Sequence, residues 1–282
     1  MNGSQAPNFV LLGLSSDLEK RQLLFSIFLT LYFLGLLGNL ILLLAIRADV
    51  HLHTPMYFFL SQLSLVDLCF ITTAAPKMLE TLWTADGSIS FSGCLTQLYF
   101  FAVFADMDNL LLAVMAIDRY AAVCHPLHYP LLMTSGRCGV LVRGSWGVLS
   151  FHTDQEIPHF FFDFGPLLWF SCSDAQLNEG LMMALAGVLG ISALLCIVSS
   201  YGHIFHAVAR VPSKALATCG SHLSMVTLLY STVFATYLKP PTSSHSSGGL
   251  VAAVMYTLVT PDLDPFIYKL IFSSILNIIH SI

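Results

Sequence analysis

Asp118 and Arg119 stand at the end of an apolar segment that runs from Leu95 to Ile117. An arginine there is costly to leave unpaired in a bilayer, so it either anchors to the surface or works as a switch. The carboxylate beside it can hold the guanidinium through a charge-assisted bond. Carboxylates also interrupt apolar segments at Asp67, Asp106 and Asp108. A buried, ionised carboxylate needs a partner, which marks such positions for function. The seven cysteines are far apart, with no Cys-x-x-Cys spacing, so no zinc or other metal site is expected. Cys69, Cys124, Cys138, Cys196 and Cys219 read as small, reduced core residues.

These residues can only be positioned by a membrane fold. The chain is 56% hydrophobic and 10% charged, with a mean hydropathy of +0.78. Soluble domains carry roughly 25% charged residues. A net charge of −5 without a basic tract argues against nucleic acid as a partner. A spanning helix needs about 20 apolar residues. Leu23 to Ile46, Met56 to Leu79, Leu95 to Ile117, Gly180 to Ala209, Ala215 to Leu238 and Leu250 to Phe272 meet that length. Between them, Cys138 to Phe151 lies between Arg137 and His152 and is broken by Arg143. At 1.5 Å per residue that stretch reaches roughly 21 Å, against roughly 30 Å of hydrocarbon. The expected fold is an all-α membrane protein, a seven-transmembrane-helix bundle with a truncated fourth helix from about Arg137 to Ser150. Lys and Arg in the short loops modestly favour an outside N-terminus. A single domain over 1–282 follows: an extracellular N-terminus at 1–22, the bundle at 23–272 and a short cytoplasmic tail at 273–282. Asn2-Gly3-Ser4 is a glycosylation sequon on the outer side.

Several stretches together carry a family resemblance. Asp118-Arg119-Tyr120 is followed by Ala-Val-Cys-His-Pro-Leu-His-Tyr-Pro, ending at Pro130. Gly38-Asn39 lies in the first span, and Leu52-His53-Thr54-Pro55-Met56-Tyr57-Phe58-Phe59-Leu60 opens the second, before Ser64-Leu65-Val66-Asp67. Ser200-Tyr201 ends the fifth, and Lys214-Ala215-Leu216-Ala217-Thr218-Cys219-Gly220-Ser221-His222-Leu223 opens the sixth. Pro261 to Tyr268 closes the set. In this order they resemble the olfactory receptors, a branch of the rhodopsin-like G-protein-coupled receptors, over most of the chain.

The resemblance implies a receptor without enzymatic activity at the plasma membrane. It would bind a small volatile odorant and pass the signal to a heterotrimeric G protein of the stimulatory olfactory type, raising cyclic AMP. Arg119 would leave Asp118 on activation and meet Tyr201 and Tyr268, with Tyr120 completing the switch. The odorant pocket would take Phe101, Phe104 and Ala105; Leu185 and Leu189; Tyr230, Val233, Phe234 and Tyr237; and Thr257. Asp67 and Asp108, near Asn39, would line a pocket for a sodium ion or a proton, with no other cofactor. Asp264 stands where the family has asparagine and would add a third carboxylate, raising the pKa of its neighbours. His51, His53, His125 and His128 fit the family's loop packing better than a metal site.

The chain also departs from the family pattern. Trp146-Gly147-Val148-Leu149-Ser150 runs almost directly into Thr153-Asp154-Gln155-Glu156, which resembles the later part of the second extracellular loop. Phe162 stands where the family's loop cysteine pairs with the cysteine here numbered Cys94. Cys94 is then a free thiol, or pairs with Cys172; free thiols are the expectation. These departures support a rival reading, a receptor relic retained in the endoplasmic reticulum. A small proton-coupled transporter using the aspartates would show inverted repeats or paired broken helices, and the sequence has neither.

Overall fold

A computed structural model describes residues 9–10, 18–86, 88–154, 176–207 and 213–237. Among the described residues, seven helices and two short strands follow one another: β1 (Phe9–Val10), α1 (Leu18–Ala48), a single 3-10 turn (Val50–Leu52), α2 (Pro55–Thr84), β2 (Ser88–Ile89), α3 (Phe91–Cys124), α4 (Tyr129–Leu132), α5 (Ser135–Asp154), α6 (Gln176–Ala207) and α7 (Ser213–Tyr237). Among the described residues, four helices are long and apolar enough to cross a membrane: α1, α2, α3 from Tyr99 onward, and α6 from Gly187.

The helices are bounded by local chemistry. Pro55, with its φ fixed and no N–H to satisfy, starts α2 behind Thr54. Ala85 ends it in the left-handed conformation, φ 59°. The Ser90 hydroxyl accepts from the Gly93 N–H and caps α3. Arg21, on the first turns of α1, donates from Nε to the Leu82 carbonyl (3.2 Å) and from Nη2 to Trp83 (3.4 Å). Those carbonyls lack partners within α2, so a cation there satisfies both bonding and the helix dipole. β1 pairs antiparallel with β2, Phe9 opposite Ile89, which ties the N-terminal segment to the link between α2 and α3.

Burial is inside-out, as lipid requires. Along α6, Val188, Ile191, Leu195 and Val198 recur at helical spacing and are each 59–64% exposed. On α1 only Phe28, Gly35, Asn39 and Ile46 are buried, a seam at near-heptad spacing that meets α2. α3 packs against α2, α5, α6 and α7 and forms the centre. Met107, Leu111 and Leu112 of α3 join Leu60 and Leu63 of α2, Val142 of α5, Ile197 of α6 and Met225 and Leu229 of α7 in one core.

Asp118, Arg119 and Tyr120 lie near the end of α3, as expected, with the helix running on to Cys124. One boundary corrects the sequence reading. The fourth long helix does not stop at Ser150. α5 has 20 residues, from Ser135 to Asp154, and reaches about 30 Å. It remains the shortest of the long helices, but the length estimate counted apolar residues alone. Polar residues carry the helix outward at both ends, and no proline intervenes before Pro158. The span expected at Leu250 to Phe272 lies outside the described residues, as do Asn2, Cys172, Thr257, Asp264 and Tyr268.

Candidate functional site

The switch residues assemble at the far end of α3. Arg119 lies against the adjacent Asp118 carboxylate, with Nε and Nη2 both donating to Oδ2, the first at 3.0 Å. Asp118 is 1% exposed. Its other oxygen accepts from the Tyr129 hydroxyl at 2.7 Å. A buried carboxylate thus has a guanidinium on one oxygen and a phenol on the other, which is what its burial requires. Tyr129 belongs to α4, so this bond pins the connecting segment to α3. Burial first, and then the Asp118 charge, push the Tyr129 phenol well above its usual value, so it remains a donor. Tyr120 shares a hydrogen bond with His125 Nε2 (3.2 Å), and its ring lies 5.6 Å from that of His203 on α6.

Tyr201 is held elsewhere. Its hydroxyl lies 2.8 Å from His222 Nδ1 and 3.3 Å from the Cys219 carbonyl. His222 Nε2 lies 3.1 Å from the carbonyl of Leu112 on α3. A carbonyl only accepts, so Nε2 carries the proton, while the single Tyr201 hydrogen has both the Cys219 carbonyl and Nδ1 within reach. His222 is 1% exposed. The relay Tyr201–His222–Leu112 therefore joins α6, α7 and α3. The sequence assigns no role to Tyr129 or His222. An ionisable residue inside an apolar helix was the available signal for His222.

The pocket residues are only partly brought together. Phe104 and Tyr230 pack against the same core. The Tyr230 hydroxyl donates to the Gly190 carbonyl (3.0 Å), linking α7 to α6. Tyr230 and Phe234 rings lie 6.4 Å apart, and Phe100 stacks on Phe104 at 6.0 Å. Leu189, Ala105 and Val233 are half-buried, and Phe234 is exposed. Phe101 instead faces Phe70 of α2, with ring centres 4.8 Å apart. The side chains of Leu185 and Tyr237 lie outside the described residues.

On α1, Asn39 is fully buried and donates to the Gly35 carbonyl at 3.2 Å. Asp67 is 2% exposed. Asp108 Oδ1 is buried without a hydrogen-bond partner among the described residues. These three lie on α1, α2 and α3, helices that pack in sequence. Cys94 is buried and forms no disulfide with any described residue.

The family model described as olfactory receptor matches residues 28–282. "Olfactory receptor 1f45" of Rattus norvegicus is 51% identical, covering 95% of this chain and 92% of its own. "Olfactory receptor 1F1" of Homo sapiens is 49% identical with the same coverage. Each alignment spans 288 positions, while 95% of 282 residues is about 268. The relatives therefore carry roughly twenty residues, 288 less 268, that this chain lacks. Squid rhodopsin shares the fold, with a TM-score of 0.76 at 16% identity, over 93% of this chain and 86% of that one. The chain belongs to the olfactory receptor family, multi-pass G-protein-coupled receptors that bind odorants and are not enzymes.

Proposed function

We propose that this receptor signals through a stimulatory olfactory G protein and raises cyclic AMP, with its N-terminus outside the cell and a single receptor domain over 1–282. The observation that carries this reading is the pair of clamps on α3. Asp118 with Tyr129 holds Arg119, and Leu112 with His222 holds Tyr201. Both lie at one end of the bundle, and both must open if Arg119 is to meet Tyr201. An odorant that binds better when α7 has swung away from α3 shifts the population toward the open form, by no more than its differential affinity. Phe104, Leu189, Tyr230 and Val233, with the remaining pocket residues named from the sequence, are the proposed odorant contacts. Asn39, Asp67, Asp108 and Asp264 are the proposed sodium or proton pocket. The test is to label an N-terminal tag on intact cells and record cyclic AMP against an odorant panel. Surface label with an odorant-dependent rise supports the reading; surface label with no rise under any G-protein partner overturns it.

A second reading rests on the roughly twenty missing residues and on Phe162 in place of a cysteine. It is a receptor relic retained in the endoplasmic reticulum. A family disulfide contributes about 2–4 kcal/mol, and its loss would weaken folding. On this reading the tag appears only after permeabilisation, and Phe162→Cys raises surface label.

A further inference from the structure

Arg143 is used by none of the machinery above. It sits in the middle of α5, nine residues from its start at Ser135 and twelve from its end at Asp154, counting Arg143 itself both ways. The face of α5 that meets α3 and α2 carries the buried Cys138, Val142 and Ser145. Arg143 is exposed, on the side turned away from them, alongside Val140, which is 61% exposed. That side of a membrane bundle faces lipid. Eight residues of helix place its Cα about 12 Å beyond Ser135, inside the hydrocarbon. A guanidinium left at that depth is expensive unless it reaches the interface.

The side chain solves this by folding back. Arg143 Nε donates to the Gly139 carbonyl at 3.2 Å, one turn nearer the start of α5. It lies over Gly139. A Cβ built there would meet a single neighbour, Arg143 Nη2 at 3.8 Å. The guanidinium is thereby fixed near the level of Gly139, two residues from Arg137. Arg137 also turns back along the chain, donating from Nη1 to the Leu131 carbonyl at 2.9 Å. One of the five N–H donors of Arg143 is used, and among the described residues no carboxylate pairs with it. Gly139 lies four residues, about 6 Å, beyond Ser135, so the remaining donors sit nearer the headgroup layer than the Arg143 Cα does, at the end of the bundle where α5 begins.

We propose that Arg143, folded over Gly139, is a docking point for the phosphate of an anionic phospholipid. The planar fork of donors fits a phosphate, and the headgroup layer is where phosphates lie at that depth. With an outside N-terminus this is the cytoplasmic leaflet, where anionic lipids are concentrated; the lipid contact itself does not depend on which G protein is engaged.

The test is native mass spectrometry of the detergent-purified full-length receptor, titrated with phosphatidylserine or phosphatidylcholine. The wild type should prefer phosphatidylserine by about fivefold, the scale of one basic residue at an anionic surface. Arg143→Gln should abolish the preference. Gly139→Leu keeps the charge but puts a branched side chain under the guanidinium, and should abolish it as well; Arg143→Lys should retain part of it. Should Arg143→Gln fail to fold, the Gly139→Leu and Arg143→Lys pair decides. Equal retention of both lipids by the wild type overturns the proposal, as does an undiminished preference in Gly139→Leu or Arg143→Gln. Displacement of the lipid by millimolar inorganic phosphate overturns the lipid as occupant. Receptor dimers lost in Arg143→Gln, without any lipid preference, would assign the residue to a second copy instead.

Discussion

Tyr129→Phe removes one hydroxyl from the clamp and leaves the ring. In the structure that hydroxyl donates 2.7 Å to the buried Asp118 carboxylate, whose other oxygen holds Arg119. A hydrogen bond to a charged group contributes about 1.5–3 kcal/mol. Tyr129 is half-buried, so the lower figure applies, about 1.5 kcal/mol, or roughly tenfold in an equilibrium constant. Asp118 keeps its bonds to Arg119 but loses the donor that fixes its orientation. The closed arrangement alone is weakened, because Asp118 gives up Arg119 on opening. If the open form is populated at about 1% without ligand, it should rise to about 10%. The assay is ligand-free cyclic AMP, normalised to surface receptor counted by an N-terminal tag. A several-fold rise in basal signal per receptor is expected, with the maximal odorant response preserved. An unchanged basal signal at normal surface density would refute the claim that Tyr129 supports the closed clamp.

His222→Leu breaks the link from Tyr201 to the Leu112 carbonyl; intramembrane hydrogen bonds contribute about 0.6 kcal/mol each, so two of them predict roughly a sevenfold rise in basal signal, read in the same assay. Tyr230→Phe loses its bond to Gly190 and should weaken odorant potency by about threefold on the same scale, checked by dose response. Arg21→Ala leaves the Leu82 and Trp83 carbonyls without their cation, costing about 1 kcal/mol. It should lower the melting temperature of the purified receptor by about 2–4 °C. Asp67→Asn should remove any effect of replacing sodium by a larger monovalent cation on odorant potency, measured in membranes.

Much of the fold was legible because the bilayer imposes a length. Leu23 to Ile46 and Met56 to Leu79 announced α1 and α2 by apolar run alone. The ends were less legible, since hydropathy stops where polar residues begin and a helix need not. α3 runs past Asp118-Arg119-Tyr120 to Cys124, and Ser135–Gly136 and Phe151–Asp154 lengthen α5 beyond the expected Arg137 to Ser150. The Asp118–Arg119 pair could be read directly, being adjacent in sequence. Tyr129 and His222 could not, because their partners are set by packing: Leu112 and His222 are 110 residues apart. Phe101 shows the opposite failure. Its four-residue spacing to Ala105 puts both on neighbouring positions of α3, yet its ring turns to Phe70 on α2.

The most direct measurement of the central claim is odorant-driven cyclic AMP in Arg119→Ala beside the wild type, at matched surface density. Among the described residues the polar contacts of Arg119 are to Asp118, and its loss leaves that buried carboxylate with the Tyr129 hydroxyl, so responses are compared at matched surface density. The account predicts a wild-type response and none from Arg119→Ala with any odorant that activates the wild type. A full response from Arg119→Ala would contradict it.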